Sequence, residues 1–337
     1  MNENKALIIA EAGVNHNGEI NKALELVDVA AECGADIIKF QTFKANDLIL
    51  KNVMKTKYQI KNTRSTSSQY EMLKSLEITK SMHEKIFDHC SKKNIEFLSS
   101  AFTNHDLEYL FNLGVKRIKI PSGEITNLPY LEKTATFGIP IIVSTGMSSI
   151  DEIKTSYKIL MKSGVKKKML TFLHCISDYP TKLDSINLKA MNLISEELMV
   201  DVGFSDHSIG NEAAIAAVAL GAKIIEKHFT DDKSQEGPDH SFAMDPEDFK
   251  KMVYDIRHME KILGKPEKII YEEEKPQYVS MKRGIKAKEH LAKGTILKRE
   301  HLNSKSQNIS MRSIYFFSPK FAIQRRCEKN TRLGILS

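Results

Sequence analysis

The stretch Val200-Asp-Val-Gly-Phe-Ser-Asp-His207, the Ala-rich run 211–220 and then Ala222-Lys-Ile-Ile-Glu-Lys-His228 decide the fold. A short apolar run ends in polar groups, an amphipathic segment closed by Gly221 follows, and a second apolar run ends in polar groups again. This is a strand–helix–strand unit, because β-branched and aromatic residues suit strands and a Gly after a helical run supplies the left-handed residue that stops it. The same rhythm fills most of the chain. Strand-like runs at Ala6–Ala10, Asp36–Phe40, Ile95–Leu98, Arg117–Ile120, Ile139–Val143, Met169–Leu173, Val200–Phe204 and Lys223–Lys227 alternate with longer segments. The clearest helical segments are Asn21–Cys33, Ser81–Lys93, Leu128–Phe137, Ile150–Ser163, Asn211–Leu220 and Phe249–Leu263, the last opened by the N-cap pair Asp245-Pro246. Eight apolar strands separated by helices predict an α/β fold with a parallel sheet covered by helices. A closed (β/α)8 TIM barrel over residues 1–270 is the economical solution, and an open doubly wound sheet is its competitor. Residues 42–68 read as a long polar loop over one face.

Composition sets limits on function. The 337 residues are 41% hydrophobic and 28% charged, the balance of a globular protein with a full-sized core. No apolar run reaches membrane-spanning length and the start lacks a signal-peptide core, so a cytoplasmic protein with no membrane partner is expected. Cys33, Cys90, Cys175 and Cys327 form no CxxC pair, which excludes a sequence-evident disulfide framework or zinc site. Of the net charge of +7, residues 311–337 hold +5, leaving the rest nearly neutral. Nucleic acid is therefore not an expected partner, since such proteins concentrate basic groups on a folded face.

The chemistry gathers where a barrel would put it, at the carboxyl ends of the strands. Those ends read Glu11; Lys39 and Gln41; Ser99 and Ser100; Lys119, Ser122 and Glu124; Ser144; His174; Ser205, Asp206 and His207; Glu226 and His228. His207 and His228 end adjacent strands, so their imidazoles can converge on one divalent cation, with Glu11 or Asp206 nearby and open positions for water. Lys39 and Lys119 sit in apolar strand ends where a lone ammonium is costly to bury. A phosphorylated anion would neutralise them, helped by Ser122 and Ser205; the competing reading is ion pairing with Glu11 and Glu124. No P-loop or GxGxxG is present, and Gly13-Val-Asn-His-Asn-Gly18 lacks the spacing, so a nucleotide cofactor is not expected. Cys175, directly after His174, is expected to face the other way as buried filler.

At these residues the chain resembles the N-acetylneuraminate (sialic acid) synthase family, including the legionaminate synthases. The matching stretches are Ala10-Glu-Ala-Gly-Val-Asn-His-Asn-Gly18, Ile38-Lys-Phe-Gln-Thr-Phe-Lys44, Lys119-Ile-Pro-Ser-Gly-Glu-Ile-Thr-Asn-Leu-Pro129, Leu173-His-Cys175, Tyr179-Pro-Thr181, Gly203-Phe-Ser-Asp-His207, Glu226-Lys-His-Phe-Thr230 and Gly237-Pro-Asp239. The resemblance implies a TIM barrel, a linker at 271–280 and an antifreeze-like (SAF) domain at 281–337, in a homodimer. It implies condensation of phosphoenolpyruvate with an open-chain N-acetylated hexosamine, giving a nine-carbon 2-keto acid and phosphate by C–O cleavage. N-acetylmannosamine is the leading sugar, and a 6-deoxy diacetamido hexose, as in N,N'-diacetyllegionaminate synthesis, is the alternative. By the same resemblance, His207 and His228 hold Mn2+, or Mg2+ or Co2+ in its place. Lys39 and Lys119 clamp phosphoenolpyruvate with Ser122 and Ser205, and Ser100, Ser144 and Ser177 are further substrate-binding residues. Glu11 and Glu124 move protons, and Gln41, Phe102, Tyr179 and Asp239 contact the sugar.

The chain also departs from that pattern. Ser99-Ser100-Ala101-Phe102 replaces Ser-Thr-Pro-Phe, and Ser177 stands where some members carry Asn. After Leu302 the family's Lys-Arg-Pro-Gly stretch is missing, Asn303-Ser-Lys-Ser-Gln-Asn308 standing there, and the resemblance ends near 310. An incomplete SAF domain, from a frameshifted or truncated reading, is the expectation. Two other readings compete: a 3-deoxy-keto-acid phosphate synthase, and a catalytically impaired barrel that binds sugar or metal.

Overall fold

The structure, a computed structural model, describes residues 5–306 apart from 66, 282, 293 and 297. All eight expected strands are present: β1 (Leu7–Gly13), β2 (Ile37–Thr42), β3 (Glu96–Ala101), β4 (Ile118–Ile120), β5 (Ile141–Ser144), β6 (Leu170–Cys175), β7 (Asp201–Asp206) and β8 (Ile224–His228). They are parallel and in sequential order, and β1 pairs with both β2 and β8, so the sheet is a closed barrel and not the open alternative. Most strands run one to three residues further toward their carboxyl ends than the apolar runs suggested. Most of the extra residues are polar yet lie within the sheet, because the barrel's mouth is where charged side chains can be used.

Period-2 alternation divides each strand between two environments. Ile9, Ile37, Leu98, Ile142, Leu173 and Ile224 form a separate buried cluster that plugs the lumen. Their sequence neighbours, such as Ile8, Ile38, Phe97, Ile141, Phe172 and Ile225, join the larger core between barrel and helices. Helix Ile20–Glu32 shows how that outer core forms: Ala23, Leu26, Val27 and Ala30 recur at helical spacing and are buried. Helix Pro246–Leu263 has Asp245 as its cap, accepting from Asp248 N, with Pro246 at its first position, as the sequence predicts. Two helices that the periodicity did not single out, Asn104–Leu113 and Lys189–Leu198, complete the outer ring.

The segment read as a long loop contains the short helices Ala45–Leu48 and Lys57–Thr63, with Gln69–Ser75 following it. Capping boxes at Thr56/Gln59 and Ser68/Glu71 satisfy the first amides of the latter two, which is why a Ser/Thr-rich stretch can be helical. Its small apolar set folds inward, Met72 and Leu76 packing with Val14 and Phe43.

The chain divides into two compact units after Gly264. In the second, the expected linker is itself structured, with a 3-10 turn at Glu272–Glu274 and a helix at Lys275–Met281. Proline in a first helical turn costs nothing, because its missing amide would have no partner there. Strands β9 (Arg283–Ala287) and β10 (Leu302–Ser306) pair antiparallel. The atypical stretch after 306, with its basic cluster and Cys327, lies outside the described residues. Cys33, Cys90 and Cys175 are free and buried. No helix among the described residues is long and apolar enough to cross a membrane.

Candidate active site

Register carries the site. Glu11 pairs with Lys39 on one side and with His228 on the other, Ser100 with Lys119, and Ser205 with Glu226, so these residues stand at similar heights around the lumen. A bulge between Glu11 and Gly13 lets β1 turn out at the rim; Gly13 has φ +53°, and an added Cβ would lie 3.2 Å from Glu11 Oε1. Directly above the apolar plug, Lys39 Nζ lies 2.7 Å from Glu11 Oε2 and 3.6 Å from Glu226 Oε2. Lys119 Nζ lies 3.5 Å from Glu226 Oε1 and donates to Ser144 Oγ at 2.6 Å. Ser205 Oγ donates to Glu226 Oε1 at 2.9 Å. All four charged groups are buried.

Their protonation is set by burial against pairing. Burial pulls the Lys39 ammonium down, but the Glu11 and Glu226 carboxylates outweigh it and its pKa stands above the ordinary value. For Lys119 burial, helped by the neighbouring Lys39, prevails over the carboxylate of Glu226, and its pKa is lowered. Glu226 is pushed up by burial yet dragged below the usual carboxylate range by Lys119 and Lys39. Burial raises Glu11 despite Lys39. Within that pair the 2.7 Å contact to Lys39 favours both charges. The lysine ion pairs anticipated from the sequence thus form with Glu11 and Glu226, not with Glu124.

Toward the mouth, the rings of His207 and His228 stand 5.4 Å apart, and Tyr179 lies 4.4 Å from the first and 5.8 Å from the second. His207 Nδ1 is 2.6 Å from the Ile176 carbonyl oxygen, which can only accept, so Nδ1 carries the proton and Nε2 keeps its lone pair. His228 Nδ1 is buried with no hydrogen-bond partner. Burial lowers both imidazole pKa values, favouring the neutral form that metal ligation requires. Two neutral imidazoles and one orphaned ring nitrogen fit a divalent cation. No group of three or more His, Cys, Asp or Glu that could hold a metal occurs among the described residues, so water or substrate would complete the shell. Asp239 Oδ2 is 3.9 Å from His228 Nδ1; burial, reinforced by Glu11, raises its pKa to about 7.

These groups line one cavity of about 520 Å³. It brings together Glu11, Lys39, Gln41, Ser100, Phe102, Lys119, Ser122, Ser144, Ser177, Tyr179, Ser205, His207, His228 and Asp239. Glu124 does not line it; its carboxylate accepts from Asn127 Nδ2 at 2.6 Å in the turn Ser122–Glu124. Asp206, expected near the metal, points outward and pairs with Lys227 at 2.8 Å, since it alternates with Ser205 and His207. His174 also points outward, 2.7 Å from the Ile186 carbonyl oxygen. Cys175 consequently faces the lumen, 3.4 Å from Ser122 Oγ, as a wall residue and not as filler. Sequence reasoning assigned Glu226 no role, although its spacing of two from His228 places both on one strand face. Tyr58 was also missed; it stacks 5.6 Å from Tyr179 and carried no signal in its polar segment.

The chain resembles known proteins over most of its length. The family model described as the NeuB family matches residues 26–268. The chain is 43% identical to the N,N'-diacetyllegionaminic acid synthase of Campylobacter jejuni, over 89% of this chain and 90% of that protein. It is 45% identical to the enzyme of the same name from Legionella pneumophila, over 88% of this chain and 83% of that one. Among solved structures, the N-acetylneuraminic acid synthetase of Leptospira borgpetersenii, in complex with citrate, superposes with a TM-score of 0.72 at 33% identity, covering 81% of this chain and 90% of that one. With most of the barrel matched by the family model and both relatives aligned over nearly the whole chain, the protein belongs to the NeuB family.

Proposed function

We propose that the protein is an N,N'-diacetyllegionaminic acid synthase, condensing phosphoenolpyruvate with an open-chain 6-deoxy diacetamido hexose. The observation that carries the chemistry is the pair of buried ammonium groups, Lys39 and Lys119, set beneath two neutral imidazoles in one cavity. The sugar follows from the two relatives named for that product, so the alternative expectation replaces the leading one, N-acetylmannosamine. Lys39 and Lys119 would hold the carboxylate and phosphate, with Ser122, Ser144 and Ser205 hydroxyls beside them. C3 of the enol attacks the aldehyde carbon, whose oxygen takes a proton. Water adds at C2, and the tetrahedral product loses phosphate as its C–O bond breaks and the ketone forms.

His207 and His228 would hold a divalent ion, manganese or a similar one, which when bound supplies a Lewis acid for the aldehyde oxygen. Asp239, near His228, and the neighbouring Glu11 would exchange protons at their carboxyls. Tyr179 and Gln41 would orient the sugar, and the apolar plug keeps water from reaching the cluster from below. A homodimer, an antifreeze-like second domain and a cytoplasmic setting belong to this reading and rest on the family resemblance. The test is phosphate release with mass-spectrometric identification of the acid formed from each aldose. A faster reaction with N-acetylmannosamine than with the 6-deoxy diacetamido sugar would reject the assignment.

A further inference from the structure

The cavity has one wall unlike the others. Val14, Met72, Leu73, Leu76 and Phe102 all line it. They form a packed cluster of their own, separate from the main core, with Phe43 set edge-on to Phe102 at 6.0 Å. Three elements supply it: the turn after β1, the end of β3, and helix Gln69–Ser75 with the residue that caps it. Gln69 of the same helix also reaches the cavity, while two other polar groups of that helix turn away from it. Glu71 closes the helix's capping box with Ser68, and Ser75 Oγ donates to the Met72 carbonyl. The same cavity also carries Lys39, Glu11, Glu226 and the two histidines. A cavity built for an anion and a polyhydroxy aldose has no use for an apolar wall unless part of the ligand is apolar.

We propose that this wall, made by Val14, Met72, Leu73, Leu76 and Phe102, seats a methyl group at C6 of the aldose and is what disfavours a hydroxymethyl there. The inference rests on the activity proposed above and assigns its sugar selectivity to these residues. Acetamido groups need partners for their N–H and C=O, which the wall does not offer; a C6 methyl needs none. A hydroxyl pressed against such a surface loses its water without replacement, which typically separates two ligands by about ten- to a hundredfold.

The experiment measures kcat/KM by phosphate release for three aldoses: the 2,4-diacetamido hexose with a C6 methyl, its C6 hydroxymethyl counterpart, and the C6 methyl sugar with formyl in place of acetyl. The wild-type chain should favour methyl over hydroxymethyl by about ten- to a hundredfold. Val14→Thr, which keeps the side chain's shape, and Leu73→Gln, at a half-buried position, should each narrow that ratio to about threefold by raising turnover of the hydroxymethyl sugar. A wild-type ratio near one overturns the inference. So does an unchanged ratio in both variants when they melt like the parent, or a preference that follows the acyl group instead of C6. Phosphate release from none of the sugars would overturn the proposed activity itself, whereas release with a flat C6 ratio overturns only the assignment of the wall.

Discussion

Lys39 and Lys119 look interchangeable in the sequence, and the structure separates them. Lys39 is the counter-ion of two buried carboxylates, at 2.7 and 3.6 Å, whereas Lys119 has one carboxylate at 3.5 Å and a serine hydroxyl. Lys39→Met leaves Glu11 and Glu226 facing each other in a dry site, a change that costs about 3–5 kcal/mol when one partner of a buried pair is removed. For a barrel of this size each kcal/mol moves the Tm by about 2–4 °C, so a fall of roughly 6–20 °C is expected. Lys119→Met removes an ammonium that burial already disfavours but also one of the two cations that compensate Glu226, so its Tm should fall by less than that of Lys39→Met. Both variants should weaken phosphoenolpyruvate binding, by about 2–5 kcal/mol or roughly 30- to 4,000-fold, because each removes a desolvated partner of an anion. Differential scanning calorimetry of the ligand-free protein and phosphoenolpyruvate KM values supply both readouts. Equal melting temperatures for the two variants, or unchanged phosphoenolpyruvate affinity in Lys119→Met, would refute the reasoning.

Chelation should abolish turnover and manganese should restore it; His207→Ala should lose metal affinity at an unchanged Tm, and full activity after exhaustive chelation would reject a metal role. Burial lowers the pKa of His16 and of His83 to about 4, so below pH 6.5 the unfolded chain binds protons that the folded chain refuses. Stability should therefore fall as pH drops from about 6.5 to 4, by on the order of 3 kcal/mol for each histidine, and flat denaturant midpoints across that window would contradict this. Residues 1–270 expressed alone should fold and melt cooperatively, since the first compact unit ends at Gly264; a molten spectrum by circular dichroism would show otherwise.

The strands were legible because their apolar runs are short and bounded by glycine, and their order followed from the alternation with helices. Their ends were not. Ser205 and Asp206 read as lying beyond the strand because polar residues usually leave a sheet, whereas a barrel mouth keeps them paired. The two histidines and two lysines could be found from their placement at strand ends. The exclusion of Asp206 and the inclusion of Glu226 and Cys175 needed only the period-2 rule carried one residue further. Tyr58, Leu73 and Met72 were beyond reach: they come from a polar segment whose helices depend on caps and on packing against Val14 and Phe43, contacts distant in sequence.

The plug of Ile9, Ile37, Leu98, Ile142, Leu173 and Ile224 makes the lumen a blind well, charged at its floor and open only at the mouth. In a blind well, depth dictates traffic. Whatever binds to Lys39 and Lys119 has to enter before the molecule that sits at Tyr179 and Asp239, and it leaves only after that molecule has gone. Under the proposed reaction this imposes an ordered sequence, phosphoenolpyruvate first and aldose second, with the sugar acid departing before phosphate. Phosphate would then compete with phosphoenolpyruvate for the empty enzyme, so product inhibition by phosphate records the depth of its binding position.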